Sequence, residues 1–264
     1  MSLDEIIILA LVQGFSAVLP VSAWTHVLIA RDVLGWFDPA PAVVFAAHAG
    51  TLLAFLLYLW RDIWLIVLGL IPRRKRRRDP GQQLAANLAV ASMPILVGGL
   101  AVNWFWGPVP SSLSLAAWLS ILFGVILYAV DRFGMTIRRI EHMTAPSAFA
   151  LGLSGMIGLL PGASRVGIVV LAARALGYER RDAMRFSFML SIPIMIASSP
   201  FGVPPLGSEV SLLDWELLTA AGIACLASFA GMASVLRWVS RERFTAFAVY
   251  RIALGIFLLY WLYG

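Results

Sequence analysis

Several stretches of this chain are apolar on every face over about 20 residues, and they restrict its possible folds more than any other feature. The runs from Ala42 to Trp60 and from Leu217 to Leu236 have the length of a membrane-spanning helix. They lack the strict alternation of barrel strands. With 61% hydrophobic and 13% charged residues, the chain is predicted to be an all-α integral membrane protein, because unpaired backbone groups are costly in hydrocarbon.

Six runs of suitable length predict transmembrane helices. They cover residues 42–60, 84–103, 114–131, 183–201, 215–236 and 246–263. Two further apolar stretches, 6–34 and 148–177, are interrupted near their centres by Pro20 and Pro161. Each is predicted to be a re-entrant pair of helices joined by an irregular tip.

The two halves of the chain share the same order of elements. Gly14 aligns with Gly155, and Pro20 aligns with Pro161 at an offset of 161 − 20 = 141 residues. Each unit is a broken segment followed by three spans, and three is odd, so the second unit enters the membrane from the opposite side. The predicted units are residues 1–135 and 145–264, approximately, within one membrane domain, 1–264.

The distribution of charge supports this topology. The basic block from Arg73 to Arg78 is predicted to be a cytoplasmic loop that contacts anionic headgroups, and not a nucleic-acid site. If the block is cytoplasmic, ten further arginines fall on the same side. On the opposite side, Arg31 is the only base among seven acidic residues, which are Asp4, Glu5, Asp32, Asp38, Glu209, Asp214 and Glu216. Both termini are then predicted to be extracytoplasmic. A cleavable signal peptide begins with basic residues, whereas Asp4 and Glu5 stand there in this chain, so no cleavable signal is predicted.

The two tips are the predicted functional site, because irregular backbone at membrane depth must line a polar cavity or be buried in protein. The two tips should meet near the midplane of the bilayer. The polar residues and glycines at or near them are Gln13, Ser22, Thr25 and His26 in the first segment and Gly162, Ser164, Arg165 and Gly167 in the second.

Arg165 is the most informative of these residues. A guanidinium stays charged and is costly inside a bilayer unless it is paired. Beside a helix N-terminus and small residues, it predicts a cradle for phosphate or carboxylate. The alternative is that Arg165 neutralises an acid of its own chain, for which Asp131 and Glu179 are the candidates considered.

Two histidines lie in the predicted membrane region. His26 follows Ser22 by four residues, so a hydroxyl and an imidazole share one helix face. His26 is a candidate nucleophile, general acid or base, or ligand, and the alternative is a structural bond to a carbonyl. His48 is a candidate for substrate binding, or it bonds to a neighbouring helix. No metal-ligand cluster is evident in the sequence.

These residues lie in motifs that resemble the undecaprenyl-diphosphate phosphatase family, the integral membrane enzymes associated with bacitracin resistance. The resemblance covers nearly the whole chain. The stretches that carry it are Pro20-Val21-Ser22-Ala23-Trp24-Thr25-His26, His48-Ala49-Gly50-Thr51, Pro161-Gly162-Ala163-Ser164-Arg165-Val166-Gly167, Arg185-Phe186-Ser187-Phe188 and Tyr250-Arg251.

The resemblance implies hydrolysis of a polyprenyl diphosphate to the monophosphate, with Mg²⁺ or Ca²⁺ assisting, in the bacterial inner membrane. It implies catalytic roles for His26, Ser22 and Arg165. Substrate contacts would come from Ser164, with Gly162, Gly167, Gln13, Thr25 and His48 as further candidates. The expected partners are the polyprenyl diphosphate and membrane lipids, with a homodimer as the candidate assembly.

This sequence departs from the family pattern at several positions. A motif glutamate is replaced by Ala17, a serine by Ala23 and another serine by Val166. Carboxylates hold cations and orient bases in phosphoryl transfer, so Ala17 removes the most obvious ligand. The leading hypothesis is therefore a divergent phosphatase. The alternatives are a non-hydrolytic carrier or flippase for lipid phosphates, and a structural membrane protein.

Overall fold

The computed structural model describes residues 2–35, 41–71, 79–106, 112–198 and 214–264, and it is entirely helical in these ranges apart from turns and one isolated bridge. The predicted basic block from Arg73 to Arg78 lies outside the described residues. The α-helices are α1 (Leu3–Val18), α2 (Ala23–Leu28), α3 (Pro41–Tyr58), α4 (Trp60–Leu70), α5 (Pro80–Trp106), α6 (Leu113–Phe133), α7 (Ala145–Ile157), α8 (Arg165–Ala175), α9 (Arg180–Ser198), α10 (Trp215–Val239) and α11 (Thr245–Tyr263).

Four of these helices, α5, α6, α10 and α11, are long and apolar enough to cross a membrane. They contain the spans predicted at 84–103, 114–131, 215–236 and 246–263. The span predicted at 42–60 corresponds to α3, which bends by 71° into α4 across Leu59, and this pair counts as a fifth span. The chain is therefore an all-α, multi-pass membrane protein, and its described ranges contain four to five apolar spans.

The span predicted at 183–201 lies largely in α9, and residues 199–201 fall outside the described part of the chain. This helix has 19 residues but does not meet the same apolar criterion. Its first two turns carry Arg180, Arg181, Asp182 and Arg185, which lower its hydropathy. The sixth span therefore stays a prediction.

Both predicted broken segments are helix pairs interrupted at the prolines. In the first, α1 ends at Val18 and α2 begins at Ala23, followed by a π-helical turn, Ile29–Val33. In the second, α7 and α8 are separated by residues 158–164. Proline and the positive-φ residues at each tip explain why neither pair continues as one helix.

The tips share an unusual backbone conformation. Ser22 has φ 77° and Ser164 has φ 69°, and they are the non-glycine residues with positive φ in the described ranges. Each serine is the N-cap of the second helix of its pair. Side chains with a Cβ occupy this region at a cost, so the surrounding contacts must hold both tips in place.

Small residues allow the helices around the first tip to approach closely. A Cβ added to Gly14 would lie 2.7 Å from the carbonyl oxygen of Ala224, which brings α1 against α10. Ser228 of α10 donates hydrogen bonds to the carbonyl of Gly14, at 3.0 Å, and to the hydroxyl of Thr51, at 3.2 Å. This packing fixes α1, α3 and α10 as one unit, in the manner common to membrane helices.

The close approach of α3 and α10 can be tested with two glycine substitutions. A Cβ at Gly50 would lie 2.0 Å from the carbonyl oxygen of Ala221, whereas one at Gly222 would meet no atom within 4 Å. We expect Gly50→Ala to destabilise the fold by about 1–3 kcal/mol because α3 must move. Gly222→Ala is the control and should be neutral or stabilising. Equal thermal unfolding of both variants in detergent would contradict this packing.

Candidate functional site

The two tips meet at the side chain of Arg251, which extends from α11 and is 1% exposed. Its Nη1 donates to the carbonyl oxygen of Pro20 in the first tip, at 3.0 Å. Its Nη2 donates to the carbonyl of Gly162 in the second tip, at 2.7 Å, and both nitrogens lie 3.2 Å from the carbonyl of Ala163. One buried guanidinium therefore pairs backbone acceptors from both tips.

The two tip glycines make this junction possible. Gly162 has φ 88°, and an added Cβ would lie 2.5 Å from the carbonyl oxygen of Ala116. A Cβ on Gly167 would lie 2.9 Å from Nη1 of Arg251 and 3.2 Å from the carbonyl oxygen of Pro20. Both glycines thus serve close packing at the junction. Their predicted contact with substrate stays a prediction.

Arg165, the first residue of α8, differs from Arg251 because it makes no ion pair or hydrogen bond with the described residues. The two acids considered as partners are used elsewhere. Asp131 accepts from Arg174 at 2.9 Å and from Arg180 at 2.7 Å. Glu179 accepts from Arg139 at 3.1 Å. The alternative that Arg165 neutralises Asp131 or Glu179 is therefore wrong.

His48 lies on α3. The Nε2 atom of His48 is buried and has no hydrogen-bond partner among the described residues. Arg165 and Nε2 of His48 are thus both polar groups without a partner among the described residues, and each can bond an anionic oxygen.

His26 is held at both ring nitrogens. Its Nδ1 lies 2.7 Å from the carbonyl oxygen of Ser22, and a carbonyl only accepts, so Nδ1 carries the proton. Its Nε2 lies 2.6 Å from the hydroxyl of Tyr250, which donates to it in the neutral tautomer. The two rings are parallel within 2°.

The predicted proximity of Ser22 and His26 is confirmed, but the contact differs from the expected one. His26 bonds the main-chain carbonyl of Ser22, as its structural alternative proposed, while the Ser22 hydroxyl accepts from Thr25 at 3.0 Å. In the second tip, the Ser164 hydroxyl accepts from the backbone N–H of Gly167 at 3.1 Å. Both serine hydroxyls thus keep a donor hydrogen or lone pair for a further partner.

Sequence reasoning did not identify Tyr250 and Arg251 as site residues. They lie on α11, more than 200 residues after the first tip in the chain. Their only signal was the dipeptide Tyr250-Arg251 among the stretches that carry the family resemblance. The structure places their side chains against His26 and against both tips.

The expected divalent cation does not fit the donors at the tips. The described residues contain no group of three His, Cys, Asp or Glu side chains that could hold a metal ion. The carbonyls of Pro20, Gly162 and Ala163 already accept from Arg251. Gln13, buried on α1 one turn before Ala17, offers a single neutral oxygen.

The junction at Arg251 makes a prediction about stability. Replacing Arg251 with methionine leaves three buried carbonyls without their donor, at about 1–3 kcal/mol each. We expect Arg251→Met to lower the unfolding temperature in detergent strongly. Arg251→Lys should recover only part of the lost unfolding temperature, because an ammonium lacks the planar fork of a guanidinium. Arg132→Met, at an exposed arginine of α6, is the control. Unfolding of Arg251→Met at the wild-type temperature would refute the junction.

Comparisons with known proteins identify the family of this chain. The model of the family described as Bacitracin resistance protein BacA matches residues 6–257. The chain is 37% identical to "Undecaprenyl-diphosphatase 1" of Rhodospirillum rubrum, over 98% of this chain and 95% of that protein. It is 36% identical to "Undecaprenyl-diphosphatase" of a Ruegeria species over the full length of both chains, and 37% identical to that of Maricaulis maris over 98% of each. This chain belongs to the Bacitracin resistance protein BacA family.

Proposed function

We propose that this protein hydrolyses undecaprenyl diphosphate to the monophosphate and inorganic phosphate, and so recycles the carrier lipid for cell-wall synthesis. The observation that carries the proposal is Arg165, a charged side chain without a protein partner among the described residues, at the start of α8. The names of relatives that match over nearly the whole chain support the diphosphate as its ligand.

The N-terminal end of α8 is suited to an anion for two reasons. Its first backbone N–H groups carry the positive end of the helix dipole, and Arg165 adds a full charge at the same place. Arg165 can form a bidentate pair with one phosphate, and Nε2 of His48 can bond an oxygen of the same diphosphate. These two side chains are proposed to neutralise charge that develops on the leaving monophosphate.

His26 is proposed to act on the attacking water. Water attacks the terminal phosphorus, the bridging P–O bond breaks, and the proton of the water passes to Nε2 of His26. The hydroxyl of Tyr250 bonds that nitrogen in the structure, so it must turn aside or share the site when water enters. The Ser22 and Ser164 hydroxyls are proposed to contact phosphate oxygens.

No step of this proposal passes through a divalent cation, because the tip residues do not form a site for one. Arg165 and the N-terminus of α8 supply the positive charge instead. A requirement for Mg²⁺ or Ca²⁺ would then arise from the oxygens of the substrate diphosphate. Transport without hydrolysis, the alternative considered from the sequence, has no support in the names of these relatives.

The inverted repeat is also part of the proposal. Ser22 and Ser164 have the same N-cap conformation, and their spacing of 164 − 22 = 142 residues is one more than the sequence offset of 141. The second tip therefore contains one additional residue. Each unit has a broken pair followed by long helices, so we propose six spans, opposite entry of the two pairs, and extracytoplasmic termini in the bacterial inner membrane.

The role of Arg165 can be tested by phosphate release from a short polyprenyl diphosphate in detergent. We expect Arg165→Gln to lower kcat/KM by at least about 100-fold, because the site loses its unpaired charge. Arg132→Gln, at an exposed arginine outside the tips, should retain wild-type activity. No phosphate release by the wild-type protein above the Arg165→Gln background would refute hydrolysis.

Tyr250 gives a second test of the proposed base. Tyr250→Phe keeps the ring packing but removes the hydroxyl that bonds His26. We expect kcat to change with little change in KM, because the substrate diphosphate is bound mainly by Arg165. ¹⁵N NMR of the His26 ring should show an unprotonated Nε2 in the wild type and a shift of that signal in the variant. An unchanged signal would refute the hydrogen bond.

Restoring the missing carboxylate gives a third test. Ala17→Glu places a carboxylate one helical turn after Gln13. We expect it to raise phosphate release and to make the rate more sensitive to a chelator, since a carboxylate can hold a cation. Ala17→Gln has the same shape without the charge and should not do so. Equal rates and equal chelator sensitivity in both variants would contradict this expectation.

A further inference from the structure

A second polar region lies away from the tips, at the end of α10. A cavity of about 750 Å³ opens there between Tyr58 of α3, Arg181 of α9 and the last turns of α10. Arg237 and Arg241 line it from the α10 side, and Glu242 contributes its acid. None of the tip residues described above lines this cavity, so it is separate from the proposed diphosphate site.

The charge in this cavity is not balanced by the protein. Arg181, Arg237 and Arg241 form no ion pair with the described residues, and Glu242 alone opposes them. An adjacent cavity of about 560 Å³, which shares Tyr58 and Arg181, is different. There, four arginines face four acids, and two of the acids are paired with Arg139 and Arg185. Arg237 and Arg241 line only the first cavity, which we call the α10 groove, and Glu242 is the one acid that lines it.

The α10 groove also has hydroxyl oxygens that can accept hydrogen bonds. Ser234 and Ser240 line it, and their hydroxyls donate to the carbonyls of Ala230, at 2.8 Å, and Leu236, at 2.6 Å. Their own donor hydrogens are thus used, and their lone pairs remain for a ligand hydroxyl. An anionic group with hydroxyl donors beside it would match both the arginines and the serines.

The aromatic residues at the groove indicate that this ligand is a lipid. Trp238 is 47% exposed and lines the groove together with Tyr58. Tryptophan and tyrosine at the ends of membrane helices lie at headgroup level. Acyl chains can pack along the apolar side of α10 while the headgroup reaches the arginines.

We propose that the α10 groove binds the headgroup of an anionic glycerophospholipid with free hydroxyls, as in phosphatidylglycerol. The phosphate pairs with Arg237 and Arg241, with Arg181 at the far side, and the glycerol hydroxyls donate to Ser234 and Ser240. The site is independent of the proposed hydrolysis, because it shares no residue with the tips.

Native mass spectrometry of the full chain in detergent tests this proposal. Phosphatidylglycerol, phosphatidic acid and phosphatidylcholine with identical acyl chains are titrated separately. We expect phosphatidylglycerol to bind most tightly, phosphatidic acid next and phosphatidylcholine least. Each arginine near a phosphate contributes about fivefold in affinity, so Arg237→Gln with Arg241→Gln should weaken phosphatidylglycerol binding about 25-fold.

Two further variants keep the test decisive. Arg132→Gln removes an exposed arginine outside the groove and should leave lipid binding unchanged, whereas Glu242→Gln removes the opposing acid and should strengthen it. Equal binding of phosphatidylglycerol and phosphatidylcholine would overturn the proposal. The proposal would also be overturned if Arg132→Gln weakened phosphatidylglycerol binding as much as the groove substitutions do. Displacement of the lipid by millimolar inorganic phosphate would assign the groove to free phosphate and overturn the lipid proposal.

Discussion

The hydrogen bonds between Arg251 and the two tips are the interaction on which the rest of the site depends. Irregular backbone inside a membrane protein leaves carbonyls that water cannot satisfy. A buried guanidinium has the opposite problem, since its charge and five donors need acceptors. The Nη atoms of Arg251 donate to the carbonyls of Pro20, Gly162 and Ala163, which satisfies these tip carbonyls, while its buried Nε has no partner among the described residues. The two positive-φ serines are held beside this junction.

The partners of three buried or partly buried arginines explain their different roles. The two Nη atoms of Arg251 donate to carbonyls, and Arg174 is paired with Asp131. Asp131 also accepts from Arg180 and from the backbone of Phe244, so it joins the end of α6 to the starts of α9 and α11. Only Arg165 of these three lacks a partner among the described residues. An unpaired guanidinium can bind an anion, and the proposed chemistry therefore assigns the substrate diphosphate to Arg165.

The sequence allowed the broken segments, the long apolar helices and the proximity of Ser22 and His26 to be predicted, because these depend on local pattern. Proline and glycine interrupt a helix wherever it lies, and residues four apart share a face. The bend between α3 and α4 was not predicted, since the apolar run continues through Leu59. The roles of Tyr250 and Arg251 were also missed. Their contacts join residues separated by 224 and 231 positions, and no local pattern encodes such a distance.

A structure of the protein with a non-hydrolysable methylene analogue of the polyprenyl diphosphate would test the central claim most directly. The account predicts that the phosphonate oxygens contact Arg165 and the N-terminal N–H groups of α8. It also predicts that Arg251 keeps its hydrogen bonds to the carbonyls of Pro20 and Gly162. A structure in which Arg251 leaves these carbonyls to bind the phosphonate, while Arg165 makes no contact with it, would contradict the account.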